Sequence, residues 1–354
     1  MKNIAKTFFY VMGSLLLFIS CKGNKEVYQQ ETTFSREDFI TKELTGKTVE
    51  FDEPIMKPRQ IMVLDTLLIT CDKGTKKHFQ LFSLVNKKKI GERIMIGQGP
   101  EEMIMPSFIN GQDSIRLYDM ATSTVFSYSI PEFTLNADPI PARRYQLKES
   151  YIFSELAELS NGQLVASTNK PEAPCYLFDK QGEKVKNLGE YPVGPEKYTD
   201  IERADAYRAI LTSNNKDKIA VCHFFTDLID IYNKEGKLEK RLFGPDHFYT
   251  RFTEYHDGKR IGSKPDPNNY RDAFYSPVSV DEHFFVLYNG KKVNGTDYNL
   301  LAKDIFVFDW NGTPKVHYKL DQGVSRITVD AQKHKIYGIS DKPEFHIVEF
   351  SFDI

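Results

Sequence analysis

Leu177-Phe178-Asp179-Lys180-Gln181-Gly182 decides the fold, because the chain repeats it twice: Ile231-Tyr232-Asn233-Lys234-Glu235-Gly236 and Val307-Phe308-Asp309-Trp310-Asn311-Gly312. Each copy ends an apolar strand on an aromatic residue. Asp or Asn then caps a turn through its side chain, and Gly supplies the positive φ that closes it. Working outward, each copy sits at the same place in a larger unit. Short apolar runs begin at Leu67, Ile115, Leu164, Ile219, Phe284 and Ile336, in steps of 48, 49, 55, 65 and 52 residues. An aromatic trails each run: Phe82, Tyr128, Phe178, Tyr232, Phe308 and Phe350. Units of that length with four short strands apiece predict an all-β chain folded as a six-bladed β-propeller.

Five units contain strands A to D, the fourth of unit two being weaker and expected near Leu135–Ile140, but the sixth stops after its third, near Phe345–Phe350. The unassigned run Lys47–Phe51 has the length of a strand. An open ring would present a row of unpaired N–H and C=O groups, so this N-terminal strand is expected to pair there and close the propeller. Residues 46–354 are then the propeller, residues 21–45 a flexible polar tether without strand pattern, and residues 1–20 a segment outside the fold. That first segment has Lys2 and Lys6 before a twelve-residue apolar run, Phe8–Ile19, and then Ser20-Cys21. Twelve residues span too little of a bilayer core, which needs about twenty, so the segment reads as a secretory signal. Leu17-Phe18-Ile19-Ser20-Cys21 resembles the bacterial lipobox, with Phe18 where Leu is usual. The resemblance implies a diacylglycerol on the thiol of Cys21 and a further acyl chain on its amine, hence membrane attachment through that residue.

Composition excludes more than it assigns. Without residues 1–20 the chain has 45 basic and 49 acidic residues, two fewer lysines than the whole, which argues against nucleic acid as a partner. Cys71, Cys175 and Cys222 are odd in number, and no disulfide is expected, with Cys175 and Cys222 in adjacent units the one pair left open. There is no His-Glu-x-x-His, no Gly-x-Ser-x-Gly and no phosphate-cradling glycine loop, so no catalytic residue, cofactor or metal is assigned. His247 and His256, with Asp246, Glu254 and Asp257 nearby, are the nearest approach to a metal cluster, and their spacing fits no standard site.

Irregularities in a repeat are where function is grafted. The step from the second strand to the third-strand aromatic is 13 to 15 residues except in unit five, where Phe284 to Phe308 takes 24. The step from Tyr232 to Phe284 takes 52, against 28 to 41 elsewhere. Strands alternate in direction, so B–C loops and D-to-A crossovers emerge at one end of the ring, here called the top. The extra segments Gly244–Phe274 and Asn289–Lys303 are therefore expected to lie together above unit five. The first carries Arg251, Tyr255, His256, Tyr270 and Arg271, types suited to recognition, which makes these five the candidate binding surface for a protein or small ligand. Gly99-Pro100-Glu101, Gly194-Pro195-Glu196 and Gly244-Pro245-Asp246 recur in top crossovers. They read as exit-angle turns, with a ring of carboxylates at the channel mouth as the alternative. The A strands are mostly apolar or Ser/Thr apart from acids such as Glu155 and Glu158, which favours binding over catalysis.

Ile96-Gly97-Gln98-Gly99-Pro100-Glu101-Glu102 with Pro106, Asp309-Trp310-Asn311-Gly312-Thr313-Pro314 with Tyr318 and Leu320, and the closing Ile336-Tyr337-Gly338-Ile339 resemble the TolB-like six-bladed β-propeller lipoproteins of Bacteroidetes. The resemblance implies a cell-envelope location and brings no catalytic residues. Surface-exported lipoproteins of that phylum carry acids just after the cysteine. Here only Glu26 follows two lysines, which favours an outer-membrane anchor facing the periplasm. The expected role is a membrane-anchored binding or scaffolding module. The alternatives are a propeller hydrolase or lyase using acids at the channel mouth, or a purely structural envelope component.

Overall fold

The computed structural model describes residues 31–109, 114–149, 151–258, 261–293 and 301–353. Three short strands come first: β1 (Glu31–Thr33), β2 (Ile40–Leu44) and β3 (Lys47–Val49). Blade one is β4 to β7 (Pro58–Leu64, Leu67–Asp72, Lys77–Ser83, Lys89–Met95), and blade two is β8 to β11 (Pro106–Phe108, Ile115–Asp119, Thr124–Tyr128, Arg143–Gln146). Blade three is β12 to β15 (Leu156–Glu158, Leu164–Lys170, Ala173–Phe178, Lys184–Leu188), and blade four is β16 to β19 (Ala209–Ser213, Ile219–His223, Leu228–Tyr232, Leu238–Phe243). An inserted hairpin, β20 (Phe252–His256) and β21 (Ile261–Pro265), precedes blade five, β22 to β25 (Phe274–Val280, His283–Tyr288, Ala302–Asp309, Pro314–Val324). Blade six is β26 to β28 (Arg326–Asp330, Lys335–Ser340, His346–Ser351) completed by β3. The closure is as expected: β3 runs antiparallel to β28, with Val49 opposite Ile347 and Lys47 opposite Glu349.

The core is not one mass but six seams. Each main apolar cluster draws on two neighbouring blades, and the seam between six and one holds Val49, Ile339 and Ile347 against Ile61, Leu68 and Phe82. Val49 therefore fills a core position besides satisfying an edge. The repeated hairpins owe their shape to one device. Asp179 Oδ1 accepts the N–H groups of Gln181 (2.8 Å) and Glu183 (2.9 Å), and Asp309 Oδ1 those of Asn311 and Thr313 (both 2.9 Å). Gly182, Gly236 and Gly312 have φ of 84°, 76° and 78°, values that side chains resist.

Two expectations are corrected. The tether does not extend to residue 45. β1 adds to β19 and β2 to β25, both in parallel, giving blades four and five a fifth strand each. Phe34 and Phe39, both buried, anchor this strap among Phe306 and Phe308, and apolar burial outweighs the polar character of the rest. The Gly244 backbone lies so close to the strap that a Cβ there would meet the Phe34 carbonyl oxygen at 2.0 Å. Residues 21–30 fall outside the described residues, as does Cys21. The second correction is the fourth strand of blade two, expected near Leu135–Ile140 and found at Arg143–Gln146. Helix α1 (Ile130–Leu135) takes its place, capped by Ser129 with Pro131 in its first turn. Cys71, Cys175 and Cys222 are buried free thiols. No helix among the described residues is long and apolar enough to cross a membrane.

Candidate functional site

Both insertions meet above blades four and five. The Val293 N–H donates to the Tyr270 carbonyl (2.9 Å), and Arg271 and Lys292 form an antiparallel bridge. Residues 294–300, the rest of the B–C insertion of blade five, lie outside the described residues, as does Arg260. The crossover from blade three to four contributes helix α2 (Asp200–Ala206), begun by a capping box in which Thr199 and Glu202 satisfy each other's backbone. Hairpin β20–β21 rests on this helix. The Glu254 N–H donates to Glu202 Oε1 (3.0 Å), Ser263 Oγ to Asp205 Oδ2 (2.7 Å), and the Thr199 hydroxyl to Glu254. Beneath them, Phe225 and Phe252 pack with Tyr270 as a small satellite core. Two crossovers thus form one platform.

The five candidate residues divide on it. Tyr255 (42 % exposed) and His256 stand on the outer hairpin, beside Ile261 (58 % exposed). The Arg251 side chain is exposed and its Nε lies 3.1 Å from Glu196 Oε1, a pair that solvent screens. Tyr270 is partly buried, its ring 5.7 Å from that of Phe225. Arg271 lays its guanidinium over the Phe248 ring at 5.0 Å. The first three are presented to solvent, whereas Tyr270 and Arg271 hold the platform together.

The platform hangs on buried acids. Asp227, at 0 % exposure in the B–C loop of blade four, accepts the N–H groups of Asp246 (2.6 Å) and His247 (2.7 Å) through Oδ2, while Oδ1 has no partner. Burial pushes its pKa up to about 7, aided by the Asp246 charge and opposed by the two N–H donors. Asp246 is itself held by Arg36 from the strap (2.5 and 3.3 Å) and by the Tyr288 hydroxyl (2.9 Å). Although burial works against it, the Arg36 hydrogen bond keeps the Asp246 carboxyl below the usual range. Asp272 is also buried, and burial pushes it up to about 6, with a Tyr270 hydrogen bond working the other way. The Gly-Pro-acid motifs are engaged locally: Glu196 with Arg251, Asp246 with Arg36, and Glu102, one residue after Glu101, capping Gly99 N–H at 2.9 Å. Among the described residues, no group of three or more His, Cys, Asp or Glu is placed to hold a metal ion.

A second site is the central channel, a cavity of about 470 Å³ lined from all six blades. Most of its polar groups stitch blades together. The Phe108 N–H donates to Gln60 Oε1 (2.9 Å), Arg116 pairs with Glu158 (3.0 Å), Ser213 Oγ donates to the Glu158 carbonyl (2.5 Å), the Ile327 N–H donates to Ser276 Oγ (3.0 Å), and the Val63 N–H donates to Thr328 Oγ1 (3.1 Å). The Ser/Thr character of the A strands is thereby accounted for. Glu155 and Arg326 also line this channel. The sequence reading marked Glu155 but missed Arg326, which nothing but its position at the start of the sixth A strand signals.

The sequence profile of the family described as TolB-like 6-blade propeller-like matches residues 33–332. Among solved structures, a member of the DUF4221 family from Bacteroides vulgatus is 9 % identical, with a TM-score of 0.55, covering 89 % of this chain and 97 % of its own. A protein of Bacteroides fragilis described as exported is 12 % identical, with a TM-score of 0.49, covering 88 % of this chain and 98 % of its own. No curated protein matches the chain. At such identities the likeness speaks for the fold alone. The profile spans most of the ring, from the strap to the first strand of blade six, and with the six blades described above it gives one conclusion: this chain belongs to the TolB-like six-bladed β-propeller family.

Proposed function

We propose that the protein is an exported, lipid-anchored envelope component whose propeller binds a protein partner on its top face, centred on the platform of blades three to five. One observation carries the reading. Among the described residues, Met56, Ile96, Met105, Ile152, Val193, Tyr255 and Ile261 are large apolar residues left exposed in top crossovers, whereas only Val85, Leu135 and Ile140 are so placed in the connections of the opposite end. Scattered exposed apolar residues need no explanation, but their concentration on one end marks a face that is covered in use. Tyr255 and His256 on the outer hairpin, with Arg251 beside them, supply the directed polar contacts that such an interface adds to its apolar area. The signal-like start and Cys21 support the anchor, and Glu26 after two lysines supports the periplasmic side of the outer membrane.

The test pairs two surface variants, Tyr255→Ser with Ile261→Ser on the top and Leu135→Ser with Ile140→Ser on the opposite end. Partners captured from envelope extract are expected to be lost from the first and kept by the second. Equal recovery on both would remove the reason to choose this face. The anchor is tested separately: Cys21→Ala should abolish incorporation of labelled fatty acid, and retained label would exclude that cysteine.

A further inference from the structure

The channel contains a charge pair that the fold does not use. Among the described residues the Glu155 carboxyl makes no hydrogen bond and no ion pair, although it lines the central channel. Arg326, from the facing blade six, donates Nη1 to the Ser325 carbonyl (2.7 Å), and among the described residues its guanidinium has no further hydrogen bond or ion pair. The two make no ion pair within 4 Å of each other, so opposite charges stand apart in one channel. Glu155 is half-buried, and a carboxylate so placed without a protein partner is suited to pair with a cationic group that enters the channel. The other charged group lining the channel, Glu158, is already paired with Arg116 (3.0 Å). The volume of about 470 Å³ lies within the range of small-molecule sites, and the wall mixes apolar side chains with a few polar groups in the usual way.

The charges select the ligand. A lone cation would meet repulsion from Arg326, and a lone anion repulsion from Glu155. A molecule carrying both signs a few bonds apart satisfies each. We infer that the central channel binds a small zwitterion, a free amino acid or short peptide, with its ammonium toward Glu155 and its carboxylate toward Arg326. The guanidinium fork suits a carboxylate in two-point contact, and the carboxylate of Glu155 accepts from an ammonium. Burial pushes Glu155 up to about 7, with Arg326 working the other way, so without a cationic partner this group is partly protonated near neutrality. An arriving ammonium favours the ionised form and drives a proton into the buffer.

Calorimetric titration at neutral pH with a panel of free amino acids and dipeptides provides the test. At least one zwitterion should saturate the protein, and its N-acetylated and C-amidated forms should each bind about ten-fold more weakly or worse, the equivalent of about 1.4 kcal/mol per lost contact. Glu155→Gln and Arg326→Gln should each lose affinity to a similar degree, while Arg326→Lys keeps part of it. The observed heat should vary with the ionisation enthalpy of the buffer for the unmodified protein and cease to do so in Glu155→Gln, an effect that misfolding does not mimic when the melting temperature is unchanged. Absence of saturable binding at millimolar concentration, or blocked forms that bind as well as the zwitterion, would overturn the inference.

Discussion

Replacing Asp227 by asparagine should stabilise the protein at neutral pH, although it removes a charge from a hydrogen-bonded site. Asp227 is buried, and its Oδ2 fixes the turn at Asp246 and His247 while its Oδ1 meets no partner. Asparagine can still accept both N–H groups and has no ionised form to desolvate. The carboxyl's pKa rises from the model-compound value of 3.8 to about 7 on folding. The unfolded chain therefore releases this proton near pH 4, whereas the folded chain retains it until about 7. Between these values the unfolded state binds fewer protons, so stability falls as pH rises and levels off above 7. Three pK units correspond to a penalty on the order of 4 kcal/mol at pH 8, fully present only above the folded pKa and absent below pH 4. Asp227→Asn escapes it. Denaturant unfolding of both proteins at intervals from pH 4 to 8 should give curves that meet at the acid end and diverge toward the alkaline end. Asp272 and Glu155, raised for the same reason, slope in the same direction in both proteins and cancel in the difference. A difference that does not change with pH, or a variant less stable than the parent at pH 8, would refute the reasoning.

Two further substitutions probe the frame. Arg241 grips Asp230 through Nε (2.7 Å) and Nη2 (2.8 Å) inside blade four, and this overcomes burial to take the Asp230 carboxyl down to about 2. Arg241→Met alone should destabilise by about 3–5 kcal/mol because it strands a buried charge, and adding Asp230→Leu should restore much of the loss, as read by urea unfolding. Val49→Asp places a carboxylate in the seam between blades six and one, where Val49 is 7 % exposed, and should lower the melting temperature of the whole domain; a local effect confined to residues 47–51 would show that this seam does not hold the ring.

Most of the frame was legible because propeller blades write their period directly into the chain. The aromatic-Asp/Asn-Gly turns carry their own geometry, and the missing fourth strand of blade six pointed to Lys47–Phe51. The strap was not legible: Glu31–Thr33 and Ile40–Leu44 are short and polar, and they become strands only because blades four and five offer them free edges and sockets for Phe34 and Phe39. Blade two misled for a local reason, since Ser129 and Pro131 start a helix and leave Leu135 and Ile140 exposed where an apolar strand was expected. The capping box Thr199-Asp200-Ile201-Glu202 was readable in principle and announces α2. For the site, spacing placed Tyr255, His256 and Arg251 on the top face, but it could not separate them from Tyr270 and Arg271, whose contacts are with Phe225 and Phe248. Arg326 joins Glu155 only through closure of the ring, which no local pattern records.

The ring closure is tested most directly by a cross-link between the chain's two ends. Lys47 and Glu349 face each other in the antiparallel pair of β3 and β28. With Lys47→Cys and Glu349→Cys combined, mild oxidation of the folded protein should give one disulfide joining the peptides around residues 47 and 349, identified by mass spectrometry. Recovery of both cysteines as free thiols from fully folded protein would mean that the N-terminal strand does not fasten the last blade.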